Sequence, residues 1–210
     1  MKRVFILVFL FFAALSVYSQ TESYIICYEA DLLLFVNLEN NSIKDYKIYT
    51  VLPFCNIILN RNNFQLFRDL LNRFLEWEKI AETNNLTERF EREIPITVTS
   101  NNVTWSTIER QQGYVTYKMI ENEMQIKSTF NWNPTAYNES LKGNLHITSN
   151  TITSNTPNSS FYFDRYIMRN DAKQLLENLT DSKIQEAIQR GRAEEQERQR
   201  QKQLQEELFR

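Results

Sequence analysis

Glycine and histidine are scarce in this chain, which has three glycines and one histidine among its 210 residues. Phosphate-binding loops, dinucleotide fingerprints and nucleophile elbows need clustered glycines, because the backbone turns sharply or approaches the ligand closely there. The glycines here, Gly113, Gly143 and Gly191, are far apart in the sequence. Catalytic zinc sites commonly take several histidines, and His146 stands alone. We therefore expect no cofactor, no metal and no assignable catalytic residue.

An excess of positive charge is also lacking. The chain has 24 lysines and arginines against 26 acidic residues, which gives a formal net charge of −2. Proteins that bind nucleic acids or anionic membranes rely on clustered lysine and arginine to neutralise phosphates. The charge balance therefore argues against a nucleic-acid partner.

Long hydrophobic runs are absent except at the N-terminus. The basic pair at residues 2–3 precedes an apolar run at residues 4–15, and Val17 and Ser19 suit the −3 and −1 subsites of signal peptidase. The run is too short for a transmembrane helix, which needs about 20 apolar residues. We predict that residues 1–19 are a cleaved signal peptide and that the protein is periplasmic or secreted, with no membrane span after cleavage. A retained anchor and a buried helix are the alternatives.

The chain has two cysteines, Cys27 and Cys55, which form the natural disulfide pair in an exported protein. Segment 24–36 alternates like one strand, residues 39–42 are a polar turn, and segment 43–59 is typical of a second strand. A hairpin around that turn would place the two cysteines opposite each other, close enough to bridge. The alternatives are two buried thiols or a redox pair, although Cys-x-x-Cys spacing is absent.

The remaining pattern predicts an α+β fold. Apolar residues at helical spacing from Phe64 to about Glu82 indicate one amphipathic helix, which we expect to pack on a sheet. Strand-like segments separated by Asn- and Ser-rich turns fill residues 94–168, with a compact turn at Glu121–Asn122. We predict one domain at residues 20–188: an antiparallel β-meander with an N-terminal β-hairpin, the amphipathic helix and a C-terminal charged helix.

Residues 189–210 are rich in Glu, Gln and Arg and are predicted to be a charged tail, either helical or disordered. Leu204, Leu208 and Phe209 are its large apolar residues and the candidates for docking to a partner. They are too few to sustain a coiled-coil seam over several heptads.

Three aromatic residues form the candidate ligand site. Trp105, Trp132 and Tyr137 lie in sequence near asparagines, and rings combined with amides suit stacking on sugars or peptides. Packing in the protein core is the competing interpretation, because tryptophan in strands usually packs there.

Glu29, Asp31 and His146 are the candidates for acid–base chemistry. The two carboxylates share one face of a predicted strand, about 6–7 Å apart at twice the rise per residue. A solvated polar face explains the same pattern more simply.

No motif beyond the N-terminal leader is typical of a known family. The favoured hypothesis is an exported non-enzymatic protein that binds another macromolecule, such as an envelope or secreted protein, or contributes to a cell-envelope assembly. A small-ligand or glycan-binding module is the first alternative, and a carboxylate-dependent hydrolase is the second.

Overall fold

A computed structural model describes residues 21–51, 54–109, 113–118, 123–138, 141–153 and 160–208. The predicted signal peptide at residues 1–19, the predicted turn at Glu121–Asn122 and the docking candidate Phe209 lie outside these ranges.

Within them, the chain forms strands joined by short connections, with helices after the fourth strand and after the last. The strands are β1 (Glu22–Glu29), β2 (Leu32–Glu39), β3 (Ser42–Val51), β4 (Phe54–Leu59), β5 (Phe90–Ser100), β6 (Val103–Glu109), β7 (Gly113–Lys118), β8 (Met124–Trp132), β9 (Gly143–Ser149), β10 (Ile152–Thr153), β11 (Ser160–Phe161) and β12 (Asp164–Met168). The helices are α1 (Arg61–Thr83), α2 (Arg169–Asn178) and α3 (Asp181–Leu208).

The strands pair in antiparallel fashion, which confirms the predicted α+β class. Sheet A has the strand order β1-β2-β3-β4-β6-β7, sheet B has the order β12-β9-β8-β5, and β10 pairs with β11. The strands therefore divide between two main sheets instead of forming one meander. The chain passes from sheet A to sheet B through α1 and adds the β6–β7 hairpin back onto β4.

The two main sheets share one order of elements. In sheet A, β1 to β4 form a meander that is followed by α1; in sheet B, β5, β8, β9 and β12 form a meander that is followed by α2. Both helices begin with Arg-Asn and a third polar residue, at residues 61–63 and 169–171. The first is capped by the Asn60 side chain, which accepts from the Asn63 amide. In the second, the Asp171 carboxylate accepts from the Met168 amide.

The N-terminal region contains more turns than the sequence predicts. Ala30 and Asp31 have φ values of 52° and 59°, the left-handed backbone of a type I′ hairpin turn, so that segment 24–36 is divided into β1 and β2. The predicted turn at residues 39–42 is confirmed: Asn40 and Asn41 have φ values of 52° and 62°, and Glu39 is paired with Ser42. Segment 43–59 is divided as well, because β3 ends at Val51, which is paired with Phe54 of β4.

The predicted disulfide is wrong. Cys27 of β1 lies opposite Leu34, and Cys55 of β4 lies opposite Thr50 and Trp105. Strands β2 and β3 separate the two cysteines, which places them about 14 Å apart at the usual strand spacing and beyond the reach of a disulfide. Both are free and buried. The physical reason is the pair of additional strand reversals, which turn one expected hairpin into four strands.

Helix α1 connects the two sheets through one continuous core. Its buried residues are Phe64, Phe67, Leu70, Leu71, Phe74, Glu78 and Ala81. Near its start, the Phe64 ring stacks on Tyr46 of β3; further along, Phe74 packs against Phe130 of β8 with ring centroids 5.9 Å apart. A helix of 23 residues spans about 35 Å, long enough to contact both sheets.

The first part of α3 packs against β1, and Gly191 makes the close approach possible. A Cβ atom at Gly191 would lie 2.2 Å from Cδ1 of Tyr24, far inside van der Waals contact. Ile184, Ala187 and Ile188 are buried along the same part of the helix. No helix in the described part of the chain combines the length and apolar character needed to cross a bilayer.

Candidate functional site

The structure does not bring the three aromatic candidates together. Trp105 of sheet A is 4 % exposed and stacks against Tyr117 and Phe161, while Trp132 of sheet B is 3 % exposed. The Trp132 indole donates to the Leu86 carbonyl. Only Tyr137 of the three is exposed. Both tryptophans are thus core residues, and their faces are not available for stacking on a ligand.

The acid–base candidates have separate partners. The Asp31 carboxylate accepts from the Tyr28 hydroxyl. His146 lies 2.9 Å from the Asp164 carboxylate through Nε2, and its ring stacks on Tyr166 at a centroid distance of 4.2 Å. The histidine therefore has a carboxylate partner that the sequence did not indicate, because the pairing of β9 with β12 brings them together.

The C-terminal candidate Leu204 is 50 % exposed, on a helix that continues to Leu208. Contacts with the sheets reach Arg192, where the guanidinium donates to Glu22 and to Asn41. Beyond that point, the side chains at residues 193–207 are exposed. Helix α3 therefore has a packed first half and a projecting second half.

A buried acidic cluster joins α1, α2 and β9. Glu78 is 2 % exposed and forms an ion pair with Arg169 at 2.6 Å, and the same guanidinium also bonds Glu82. A Cβ atom at Gly143 would lie 2.7 Å from Glu78 Oε1, an oxygen without a hydrogen-bond partner among the described residues. Burial raises the pKa of Glu78, and Arg169 opposes the rise. The tight packing makes this cluster a structural link between elements.

A groove between α1, the start of β3 and the packed half of α3 is the candidate binding site. It consists of two adjoining cavities of about 390 Å³ each, which share Ile43, Arg61 and Gln185. We call it the arginine groove; its principal lining residues are Ile43, Arg61, Phe64, Arg68, Ile184 and Arg192.

Arg61 occupies an electrostatically unusual position in this groove. It is the first residue of α1, and the first turn of that helix contains no acidic residue. The N-terminus of a helix carries partial positive charge, so that acidic side chains stabilise it and a cation does not. The arginine therefore does not help the helix to form, and together with the helix terminus it creates a surface that attracts anions.

Arg68 lies two turns further along the same helix and is held in place. Its Nη1 is 3.6 Å from the Asp181 carboxylate and 3.3 Å from the Gln65 side-chain oxygen. Its Nε is buried and has no acceptor among the described residues. The Asp181 side chain is 93 % exposed, and such solvent-exposed ion pairs are weak. Arg68 therefore retains donor capacity and positive charge for a ligand.

Arg192 defines the other end of the groove. Its guanidinium donates to Glu22 at 3.1 Å and to Asn41 at 2.8 Å, which fixes α3 to β1 and to the β2–β3 turn. Hydrogen bonds from Tyr24 and Arg192 hold the pKa of Glu22 below its ordinary value. This carboxylate therefore remains ionised and keeps Arg192 in position.

Buried apolar side chains lie beneath the groove, and its exposed lining is predominantly polar. The rings of Tyr46 and Phe64 stack at a centroid distance of 3.6 Å, and Ile184 and Ile188 of α3 are also buried. Burial raises the pKa of the Tyr46 hydroxyl. The lining thus contains three guanidinium groups and one carboxylate, Asp181. This arrangement is suited to an anionic group.

Sequence reasoning missed this site. Arg61 and Arg68 are seven residues apart and share a helix face, which was a detectable signal. Arg192 and the isoleucines of α3 come from more than a hundred residues away, and only the packing of α3 places them nearby.

The chain matches no protein-family model, no curated protein and no solved structure. Within the described ranges, no group of three or more His, Cys, Asp or Glu side chains is placed to hold a metal ion.

Proposed function

We propose that this protein is an exported, non-enzymatic binding protein that holds an acidic segment of another macromolecule in the arginine groove. The observation that carries the proposal is the convergence of Arg61, Arg68 and Arg192 around one groove. Guanidinium groups bind carboxylates through paired hydrogen bonds.

The dimensions of the groove favour a chain segment over a compact small molecule. Helix α3 lines it from Asp181 to Arg192, which is about 17 Å at the helical rise per residue. An extended peptide of about five residues has the same length. The described lining residues include no histidine or cysteine, and the one carboxylate faces Arg68. These features support binding rather than a hydrolase.

A direct binding measurement tests the proposal. The probe is a fluorescein-labelled Asp-Glu-Leu-Leu-Glu peptide, and Asn-Gln-Leu-Leu-Gln is its uncharged counterpart. We expect fluorescence anisotropy to show binding of the acidic peptide, weakened by salt because exposed charges are screened. In the double variant Arg61→Glu and Arg68→Glu, the Kd should rise about tenfold or more, since each exposed ion pair contributes roughly 0.2–1 kcal/mol and repulsion replaces it.

The matched control changes the same charge on the same helix. Arg73 and Lys79 are exposed residues of α1 outside the groove, and Arg73→Glu with Lys79→Glu should leave the Kd unchanged. If both double variants weakened peptide binding equally, the effect would arise from the overall charge of the protein and not from the groove. Tight binding that survives the groove substitutions in a folded protein would refute the proposal.

The export part of the proposal is supported by the N-terminal leader alone. The basic pair at residues 2–3 and the apolar run at residues 4–15 have the organisation of a signal peptide. The mature protein is expected to begin at Gln20, and intact-mass measurement of the protein recovered outside the cytoplasm tests this. A mass that still includes Met1 would show that the leader is retained.

A further inference from the structure

The far end of α3 has the composition that the arginine groove requires. Glu206 and Glu207 provide two adjacent carboxylates, and Leu204, Leu208 and Phe209 provide apolar side chains. We call residues 204–210 the tail segment. The two carboxylates complement the guanidinium groups that line the groove.

The described part of the tail segment, residues 204–208, does not reach the groove of its own chain. Helix α3 leaves the groove at Arg192 and continues without interruption to Leu208. From Arg192, the helix axis rises about 18 Å to Leu204 and about 24 Å to Leu208. The described side chains from Ala193 onward are exposed, so nothing in the described fold covers this half of the helix.

We infer that the tail segment of one copy binds in the arginine groove of a second copy. The inference rests on the proposed function, because it identifies the occupant of that groove. Glu206 and Glu207 pair with Arg61 and Arg68.

The geometry favours a reciprocal dimer. When two α3 helices lie antiparallel and side by side, the tail segment of each copy lies beside the arginine groove of the other. This follows because the distance along the helix from groove to tail segment is the same in both copies. Both grooves are then filled by one two-fold arrangement, and the assembly closes without leaving a free groove.

Analytical ultracentrifugation of the mature full-length chain tests the inference. We expect a concentration-dependent dimer, and a monomer for the variant that lacks residues 204–210. Reversing the tail charges with Glu206→Arg and Glu207→Arg should raise the dimer Kd about tenfold or more, as should Arg61→Glu with Arg68→Glu. The four substitutions combined in one chain should restore the dimer, because the ion pairs are re-formed with exchanged signs.

The control is Glu91→Arg with Glu93→Arg, which changes the same charge at exposed positions of β5. This variant should dimerise like the unmodified chain. A full-length chain that remains monomeric, or a dimer that persists after either reversal, would overturn the inference.

A second measurement separates the inference from the proposed function. A labelled peptide of residues 202–210 should bind the chain that lacks its own tail, and Arg61→Glu with Arg68→Glu should abolish that binding. If Asp-Glu-Leu-Leu-Glu binds and the tail peptide does not, self-association is wrong while the groove remains a binding site. If neither peptide binds, both proposals fail.

Discussion

Cys27 and Cys55 illustrate how position in the sheet sets the chemistry of a side chain. Burial raises the pKa of each thiol to about 12, so the reactive thiolate is nearly absent at neutral pH. Their places in β1 and β4 keep them apart. The two residues whose presence in the sequence favoured a disulfide are therefore unreactive core residues in the fold.

We accordingly expect iodoacetamide to label neither thiol in the native protein and both in denaturant. Thr135→Cys, at an exposed position, provides the positive control for native labelling. Intact-mass spectrometry measures both reactions. A native mass lower by two hydrogens without reductant would contradict the free-thiol prediction.

Glu78 is a buried carboxylate that depends on one partner. Removal of one member of a buried ion pair leaves an uncompensated charge and costs about 3–5 kcal/mol. Arg169→Ala should therefore lower the free energy of unfolding by about that amount in urea titrations. In a Glu78→Gln background, Arg169→Ala should lower the free energy of unfolding by clearly less. Equal losses in both backgrounds would show that the Glu78–Arg169 ion pair is not the cause.

The pH dependence of stability follows from the same residue. Burial raises the pKa of Glu78 above its ordinary value of 4.5, so the folded state holds the proton more tightly than the unfolded state. The stability that this contributes is present below pH 4.5 and is lost as the pH rises through the pKa of the folded state. Glu78→Gln should remove that loss, which unfolding titrations across this pH range would detect.

At the scale of elements, the docking of α3 on β1 depends on Gly191. Alanine normally stabilises a helix relative to glycine by about 1 kcal/mol. Here the added Cβ would overlap the Tyr24 ring, so Gly191→Ala should instead destabilise the protein by about 1–3 kcal/mol.

The Tyr24→Ala background provides the test. Without the ring, Gly191→Ala should become neutral or stabilising in thermal unfolding followed by circular dichroism. A destabilisation of the same size in both backgrounds would show that contact with Tyr24 is not its origin.

The missed turn at Ala30–Asp31 has an identifiable cause. Residues paired across the two strands point to the same face of the sheet, and Cys27 is paired with Leu34 and Glu29 with Leu32. The residues that face the core therefore have odd numbers in β1 near the turn and even numbers in β2. A bulge between Ile25 and Cys27 shifts the register by one residue and offsets that change. The even-numbered residues of segment 24–36 are all apolar, although Tyr28 is exposed and Ala30 lies in the turn, so periodicity alone does not reveal the reversal.

The repeated order of elements is a second feature that the sequence shows only faintly. The Arg-Asn pairs at residues 61–62 and 169–170 mark equivalent helix starts, but such short matches also arise by chance at helix termini. The equivalence becomes evident once each helix is seen to follow a four-stranded meander.

At the scale of the whole molecule, α3 divides the chain into a packed body and a projection. A chain that ends at Arg192 keeps every described contact of α3 with β1, and at concentrations where the full chain is monomeric the two melting temperatures should be equal. A chain that ends at Ile188 loses the bonds of Arg192 and the contact at Gly191, and should be less stable by about 1–3 kcal/mol. A large drop for the first truncation would mean that residues 193–210 stabilise the fold.

Some properties follow from the sequence alone because they depend on local pattern. Helical spacing of apolar residues located α1, alternation located the β-rich region, and Asn-rich segments located the β2–β3 turn. Composition also argued against glycine-rich phosphate sites before any fold was known. These signals are local, since each arises from neighbouring residues that share one element.

The division into two sheets, the separation of the cysteines and the arginine groove were decided only by tertiary structure. Each depends on contacts between segments distant in sequence: β4 with β6, β9 with β12, and α3 with β1. Local periodicity carries no information about which strand pairs with which or where a helix packs. Arg61 and Arg192 become one site because burial of Ile184 and Ile188 holds α3 on β1 and so places it beside the start of α1, a free-energy gain that belongs to the whole fold.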